Sequence, residues 1–181
     1  MNQIKISDIK VLISENQLQT RIKQIADKLN EYYKDEEICV ICVLKGAVMF
    51  ATDLVKNLNM PVTMEFIRLS SYGAGTQSSG KVNAVDITLP DLNGKNVVIV
   101  EDIVDTGLTA KFLLDFIACN FHTKSTKFVS LLDKKITRKT DIEPDYYCFD
   151  IDDKFVVGYG LDYNGYFRNL KYIGYADKTL L

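Results

Sequence analysis

Apolar positions recur at two different spacings along the chain, and the change of spacing marks the predicted elements. Ser14 and Gln17 form a capping box, which indicates the start of a helix. Apolar residues then follow at helical spacing up to about residue 33: Leu18, Ile22, Ile25, Ala26 and Leu29. Residues 38–44 are instead a continuous apolar run rich in branched side chains, which is typical of a central parallel strand covered on both faces.

The same alternation of strand-like and helix-like segments continues to the end of the chain. The pattern predicts helices over about 47–58 and 110–117, and strands over about 61–69, 96–100, 126–132 and 146–151. Strands that alternate with helices favour an α/β fold with a doubly wound, mainly parallel sheet flanked by helices. No internal repeat and no proline-rich break divides the sequence, so we expect a single domain over residues 1–181.

Composition and charge restrict the classes of protein to consider. With 181 residues and 47% hydrophobic composition, the chain can bury a core without disulfides or a structural metal. A net charge of -2 gives no general attraction to nucleic acid or to an anionic membrane. The first residues lack a basic segment followed by an apolar one, and no apolar run approaches the roughly 18 residues of a spanning helix. We therefore expect a cytoplasmic protein without nucleic-acid or membrane partners.

Cysteine and histidine residues offer little chemistry. The four cysteines have apolar neighbours and are predicted to be buried free thiols. Cys39 and Cys42 have the spacing of metal ligands, but they lie in a predicted strand, where positions three apart face opposite sides. The one histidine, His122, follows a predicted helix and is expected at the surface. A histidine-based triad or zinc site is therefore not expected.

Residues 101–109 form the strongest candidate site, with three carboxylates, two threonine hydroxyls and a glycine between a predicted strand and a predicted helix. A helix start after a small-residue turn directs backbone N–H groups at one point, where a phosphate can bind. Carboxylates beside it indicate sugar hydroxyls or a cation. Two simpler interpretations stay open: Glu101 and Asp102 as a solvated turn, and Asp105 as a helix N-cap. The spacing does not match a Walker loop, a dinucleotide fingerprint or an EF-hand.

Residues 70–80 contain three glycines and four serines and almost no large apolar side chain. A segment of this length is long for a simple connection, and such segments are usually linkers or active-site lids. The composition alone favours simple disorder, and Tyr72 in the middle of this mobile segment is the one residue that points toward a functional lid.

Residues 101–109 resemble the signature of the type I phosphoribosyltransferases. Four further segments occur in the order that the hypoxanthine-guanine members of that family show, so the resemblance extends from about Val40 to Tyr175. These segments are residues 44–47, residues 68–73, residues 130–135 and residues 155–163. The resemblance implies the type I phosphoribosyltransferase fold, in which a small hood and a flexible lid loop accompany the parallel sheet.

The resemblance also implies how the substrates bind. Glu101 and Asp102 would contact the ribose hydroxyls, and Asp105 would be the catalytic acid or base at N7 of the purine. The 5-phosphate would be bound by a run of residues at the helix start: Asp105, Thr106, Gly107, Leu108 and Thr109.

Further implied contacts concern the leaving group and the purine base. Pyrophosphate would be bound by three residues, with the Leu44–Lys45 peptide cis in some family members: Lys45, Gly46 and Arg168. Magnesium (Mg²⁺) would be held by the carboxylates of Glu101, Asp102 and Asp162. The purine would be recognised by Lys134 at its O6 atom, by Phe155 through stacking and by the backbone of Val156, with Asp162 nearby. Ser71 and Tyr72 would belong to the lid.

The expected function is purine salvage, in which the 5-phosphoribosyl group passes from phosphoribosyl pyrophosphate to hypoxanthine or guanine and gives IMP or GMP. The choice among hypoxanthine, guanine and xanthine stays open. Two alternatives stay open: an RNA-binding regulator of pyrimidine genes on the same fold, and a nonenzymatic nucleotide-binding or assembly module that retains the phosphate loop. By the same resemblance, the chain is expected to form a homodimer or a homotetramer.

Overall fold

The structure is a computed structural model that describes residues 5–71 and 82–176. Its helices are α1 (Glu15–Tyr33), α2 (Val48–Val55) and α3 (Leu108–Asn120). Its strands are β1 (Lys10–Ile13), β2 (Ile38–Leu44), β3 (Val62–Ser71), β4 (Val82–Asp86), β5 (Asn96–Val104), β6 (Ser125–Asp133), β7 (Tyr146–Asp150), β8 (Val156–Val157) and β9 (Ile173–Tyr175). Short 3-10 turns cover Ile6–Asp8 and Lys135–Thr137.

A six-stranded sheet forms the centre of the fold, with the strand order β4-β3-β2-β5-β6-β7. All of its strands are parallel except β4, which pairs with β3 in the antiparallel direction at one edge. The predicted α/β fold with a mainly parallel sheet is therefore confirmed. Because parallel strands end at one edge, the segments that follow β2, β5 and β6 come close together there.

The core lies on both faces of this sheet. Alternate residues of β2 face opposite sides, so Val40 and Cys42 pack with α1 and α2, while Cys39 and Ile41 pack with α3. This arrangement explains why β2 reads as a continuous apolar run. It also confirms that Cys39 and Cys42 face away from each other. All four cysteines are free thiols, but Cys119 is exposed and not buried as predicted.

The first helix has the start that the sequence predicts. The Ser14 side chain accepts a hydrogen bond from the Gln17 N–H, and the Gln17 side chain accepts one from the Ser14 N–H at 2.9 Å. The predicted apolar face is buried against the sheet: Leu18, Ile22, Ile25, Ala26 and Leu29. Helix α1 also packs against α2, the helix that comes after β2 in the chain.

A second, three-stranded antiparallel sheet with the order β1-β9-β8 forms the hood, which consists of these strands and the turns between β8 and β9. The resemblance implied a hood, but the apolar pattern did not predict its short strands. The Tyr159 hydroxyl donates a hydrogen bond of 2.6 Å to the Asp53 carboxylate, which ties the hood to α2. Gly158 and Gly160 have φ angles of 100° and 103°, which favour glycine.

Two sequence-based expectations need correction or fall outside the structure. The strand predicted over 96–100 continues to Val104, so Glu101 and Asp102 lie within β5 and not in a turn. Ser71 ends β3, whereas Tyr72 and the rest of the predicted lid up to residue 81 lie outside the described residues. Among the helices described, none is both long and apolar enough to cross a membrane.

Candidate active site

The candidate site lies at the carboxyl edge of the sheet, beyond the ends of β2, β5 and β6. The phosphate loop (residues 105–109) connects β5 to α3, and Gly107 is the N-cap of that helix with a φ of 80°. The interpretation of Asp105 as the N-cap is therefore wrong. A Cβ atom on Gly107 would lie 2.2 Å from the Thr140 hydroxyl oxygen, so both the φ angle and the space require glycine.

The start of α3 gives the phosphate loop its chemistry. The first N–H groups of any helix have no carbonyl partner within the helix, and the helix dipole adds partial positive charge at this end. The Leu108 N–H contacts the Thr106 hydroxyl at 3.4 Å, at the edge of hydrogen-bond distance. The loop can therefore offer backbone and hydroxyl donors to an anion, as the sequence predicted.

Asp105 projects from the exposed side of the phosphate loop, where it can reach a ligand. Its carboxylate accepts a hydrogen bond from the Thr137 hydroxyl, and its carbonyl accepts one of 3.2 Å from Arg138 Nε. The sequence indicated Arg138 and Lys139 only as a basic pair that could contact phosphates, and it assigned no role to Thr137. The contacts seen here depend on how the turn after β6 folds back.

The pKa values of Glu101 and Asp102 are both raised, and a different arginine opposes the shift at each of them. Burial raises the pKa of Glu101 well above its usual range, the Asp102 charge raises it further, and Arg138 opposes the shift. Burial also raises the pKa of Asp102 to about 6, although a hydrogen bond from the Ile103 N–H and the Arg168 charge lower it. Two adjacent acids with raised pKa values cost folding free energy, which is typical of functional sites.

Backbone groups approach closely at the end of β2. The Leu44–Lys45 peptide bond is cis, and Lys45 is exposed. A Cβ atom on Gly46 would lie 1.5 Å from the Asp102 Oδ2 atom, and one on Gly160 would lie 2.0 Å from the Gly46 carbonyl oxygen. Only residues without side chains fit here, so the cis peptide, the Asp102 carboxylate and the hood come together around Gly46.

Arg168 brings positive charge to this corner. Its guanidinium forms an ion pair with Asp162 at 2.5 Å and donates a hydrogen bond of 2.6 Å to the Gly160 carbonyl. Asp162 also accepts a hydrogen bond of 2.7 Å from the Gly165 N–H. The charges of both Asp162 and Arg168 influence the pKa of Asp102, so the three side chains act on one region.

The residues expected to bind the base follow β6 and begin β8. Lys134 is mostly buried, with 11% of its side chain exposed, and its ammonium group lies 2.7 Å from the Asp153 carboxylate. Phe155 is 43% exposed and packs edge-on against Tyr163, with ring centroids 5.7 Å apart. An aromatic ring that keeps an open face can stack on a heterocycle. Val156 is buried, so its backbone is fixed in β8.

The three carboxylates expected to hold magnesium do not form a complete metal site by themselves. In residues 5–71 and 82–176 there is no group of three or more histidine, cysteine, aspartate or glutamate side chains that could hold a metal ion. The Asp102 carboxylate still lies against the Cα of Gly46, and Asp162 is near enough for its charge to raise the pKa of Asp102. Such a donor set fits Mg²⁺, which is usually bound by one or two carboxylates together with substrate phosphates and water.

Comparisons with known proteins point to one protein family. The sequence profile of the phosphoribosyl transferase domain matches residues 14–164. The hypoxanthine-guanine phosphoribosyltransferase of Bacillus subtilis (strain 168) is 44% identical over 165 residues, which are 91% of each chain. The crystal structure of a hypoxanthine phosphoribosyltransferase from Staphylococcus aureus has a TM-score of 0.91 and 36% identity, and the match covers 99% of this chain and 98% of that one.

Some relatives are much longer. The bifunctional protein TilS/HprT of Listeria monocytogenes is 44% identical over 174 residues, and the match covers 96% of this chain but only 27% of the longer protein. The Bacillus subtilis enzyme and the bifunctional protein therefore match largely the same part of this chain. The chain belongs to the phosphoribosyltransferase family and, within it, to the hypoxanthine-guanine phosphoribosyltransferases.

Proposed function

We propose that this protein transfers the 5-phosphoribosyl group from phosphoribosyl pyrophosphate to hypoxanthine or guanine, which yields IMP or GMP and pyrophosphate. One observation carries the proposal. The backbone N–H of Lys134 donates a hydrogen bond of 3.0 Å to the Val104 carbonyl. The predicted base-binding lysine and the phosphate loop therefore follow the ends of two adjacent strands. A hydrogen-bond donor for the 6-oxo group and a binding loop for the 5-phosphate are the two elements that would recognise a 6-oxopurine nucleotide.

The transfer forms a bond between a purine ring nitrogen and C1 of the ribose while the bond from C1 to pyrophosphate breaks. Asp105 is placed in the loop that would hold the 5-phosphate, and its role would be to take up the proton that leaves the purine at N7. The loop amides and threonine hydroxyls would fix the sugar phosphate, and the carboxylates of Glu101 and Asp102 would orient the ribose hydroxyls. Most of the rate enhancement would thus come from positioning.

The leaving group would be held at the Gly46 corner. Lys45, the Gly46 backbone and Arg168 supply cationic and N–H groups for pyrophosphate. A magnesium ion bound together with the pyrophosphate would neutralise negative charge on the leaving group, and Asp102 and Asp162 would hold it. Arg168 now pairs with Asp162, so pyrophosphate would compete with that carboxylate for the guanidinium. Ser71 and Tyr72 would close over this region and exclude water.

Base selection would depend on Lys134, since a buried ammonium group can donate to the O6 atom of a 6-oxopurine but has no acceptor for a 6-amino group. Phe155 would stack on the ring, and the Val156 backbone would contact its edge. The Lys134 ammonium group pairs with the Asp153 carboxylate at 2.7 Å, so the O6 atom would share this donor group with Asp153. Four free cysteines, of which Cys119 is exposed, fit a reducing compartment, so we place the reaction in the cytoplasm.

Incubation with phosphoribosyl pyrophosphate, Mg²⁺ and one base at a time tests this function. The wild type is expected to form nucleotide with hypoxanthine or guanine, and not with adenine or uracil. Lys134→Met should lower kcat/KM for the 6-oxopurine by about 10- to 100-fold, because it removes one charge-assisted hydrogen bond. Lys124→Met is the matched control, since Lys124 precedes the opposite end of β6 and pairs with Glu36.

Two outcomes of this assay would contradict the proposal. Product formed only with uracil would favour a pyrimidine-linked role on the same fold, and no product with any base would favour a nonenzymatic nucleotide-binding module. Equal losses in Lys134→Met and Lys124→Met would remove Lys134 from base selection. Separate assays with hypoxanthine, guanine and xanthine give the preference among the 6-oxopurines.

The raised pKa of Asp102 predicts that replacing this acid by a neutral residue stabilises the folded protein in a pH-dependent way. In the unfolded chain this acid ionises near pH 3.8, whereas in the folded protein its pKa is about 6. Below pH 3.8 the acid is protonated in both the folded and the unfolded state, so it costs no stability. Between pH 3.8 and about 6 the acid ionises only in the unfolded state, so the folded state loses stability as pH rises. Asp102→Asn should therefore stabilise the unliganded protein above pH 6 by at most about 3 kcal/mol, and progressively less as pH falls toward 4.

Urea unfolding of wild type and Asp102→Asn between pH 4.5 and 8 measures this difference. The gap in unfolding free energy should widen as pH rises and become constant above pH 6, while Asp102→Asn should bind phosphoribosyl pyrophosphate more weakly with Mg²⁺ present. A gap that is constant over the whole range would show that the burial of the charge is not the cause.

We also propose that the chain self-associates as a homodimer or homotetramer. Met49 on α2 is 40% exposed and Phe66 on β3 is 48% exposed. Phe66 projects to the same side of the sheet as Met64, which packs against the cluster that contains α2. Exposed apolar side chains on adjoining elements are typical of an interface between copies. Sedimentation velocity at micromolar concentration should give a dimer or tetramer mass, and a monomer would contradict the proposal.

A further inference from the structure

Arg138 connects the turn after β6 to the start of the phosphate loop. Its guanidinium forms an ion pair with Asp133 and donates to the carbonyl oxygens of Val104 at 3.3 Å and Asp105 at 3.2 Å. A further hydrogen bond goes to the Ile142 carbonyl. One planar fork thus contacts the end of β5, the end of β6 and the first residue of the loop.

The ion pair is deeply buried, with 1% of the Asp133 side chain and 12% of the Arg138 side chain exposed. Within the part of the chain that the structure describes, Asp133 Oδ2 has no hydrogen-bond partner, and Lys135 Nζ lies 3.8 Å away from it. A buried pair of this kind contributes little net stability, because desolvation of the two charges offsets their attraction. Stability of the fold alone therefore does not account for its presence beside the loop.

Neighbouring residues extend the contact to the rest of the loop. The Thr137 hydroxyl donates to the Asp105 carboxylate, and the Lys139 N–H donates a hydrogen bond of 2.9 Å to the Thr106 carbonyl. A Cβ atom on Gly107 would lie 2.9 Å from Arg138 Cδ, so the arginine stem lies directly against the loop. Residues 137–139, called the brace below, thus contact three consecutive residues of the phosphate loop.

We propose that Arg138, held in place by Asp133, is a positioning residue that aims the Asp105 carboxylate and the loop amides at the sugar phosphate. The proposal rests on the function proposed above. Arg138 fixes the two carbonyls that precede the loop, and the Thr137 hydroxyl fixes the rotamer of the Asp105 side chain. Because Lys134 follows Asp133 directly, the same ion pair also holds the end of β6 that carries the base-binding lysine.

Replacement of Arg138 by lysine tests whether the positive charge alone is sufficient or whether the several hydrogen bonds of the guanidinium are needed. Lysine keeps the positive charge that Asp133 requires, but its single ammonium group cannot contact the carbonyls of Val104, Asp105 and Ile142 together. Arg138→Lys should therefore fold and yet lower kcat by about 10- to 100-fold, since small displacements of a catalytic group have effects of this size. KM for the purine base should stay within about threefold of wild type, because Lys134 and Phe155 are unchanged.

Arg21→Met is the matched control. Arg21 also donates to strand carbonyls, those of Cys148 at 2.8 Å and Tyr147 at 3.2 Å, but it ties α1 to β7 away from the site. Its loss should lower stability and leave kcat unchanged. In an Asp105→Asn background, Arg138→Lys should lower kcat by a clearly smaller factor than in the wild type, because the carboxylate that it positions is already inactive and only its effect on the loop amides remains. Additive losses, or a normal kcat in Arg138→Lys, would overturn the proposal.

Amide hydrogen exchange tests the positioning role without enzymatic activity. Arg138→Lys should speed exchange in residues 104–109 while residues 38–44 of β2 keep wild-type rates, and Arg21→Met should leave 104–109 unchanged. Unchanged exchange in 104–109 would overturn the proposal even if the wild type is active; an inactive wild type with faster exchange there would instead overturn only the proposed function. If Arg138→Lys fails to fold, the double variant Asp133→Asn, Arg138→Met removes both buried charges and replaces it in each measurement.

Discussion

The parallel pairing of β5 with β6 is the constraint on which the site depends. Val104 pairs with Asp133 at the last position of both strands, and the chain then leaves each strand in a different direction. One exit forms the phosphate loop and the other carries Lys134. Because main-chain hydrogen bonds set the register, the sheet fixes the spacing between the phosphate loop and the backbone of Lys134; under the proposed function, this spacing sets the distance between the phosphate site and the base site.

Around this register the protein collects groups that are unfavourable for folding. Two adjacent acids have pKa values raised by burial, and a buried ion pair leaves one carboxylate oxygen without a hydrogen bond in the described part of the chain. The large apolar core on both faces of the sheet offsets these costs. Such concentration of unfavourable features at one sheet edge is what a site shaped for a charged substrate requires.

Much of the fold could be predicted because its elements have clear periodicity. The predicted strand over residues 38–44 has the observed bounds of β2, and the apolar face of α1 is buried as expected. The strands of the hood could not be predicted, since β8 and β9 have two and three residues and show no alternation. β5 was predicted too short because Glu101 and Asp102 are poor strand formers; the pairing of Glu101, Ile103 and Val104 with β6 outweighs that preference.

The candidate site was predictable where a run of residues carries its chemistry. Residues 101–109 contain their acids, hydroxyls and glycine in sequence, and so they were assigned from the sequence. The contacts of Arg138 and Asp153 were not, since they arise only when turns after separate strands meet. The most direct measurement is a crystal structure with IMP bound. We predict the 5-phosphate on the amides of residues 106–109 and the purine O6 atom within hydrogen-bond distance of Lys134 Nζ; a nucleotide bound anywhere else would contradict this account.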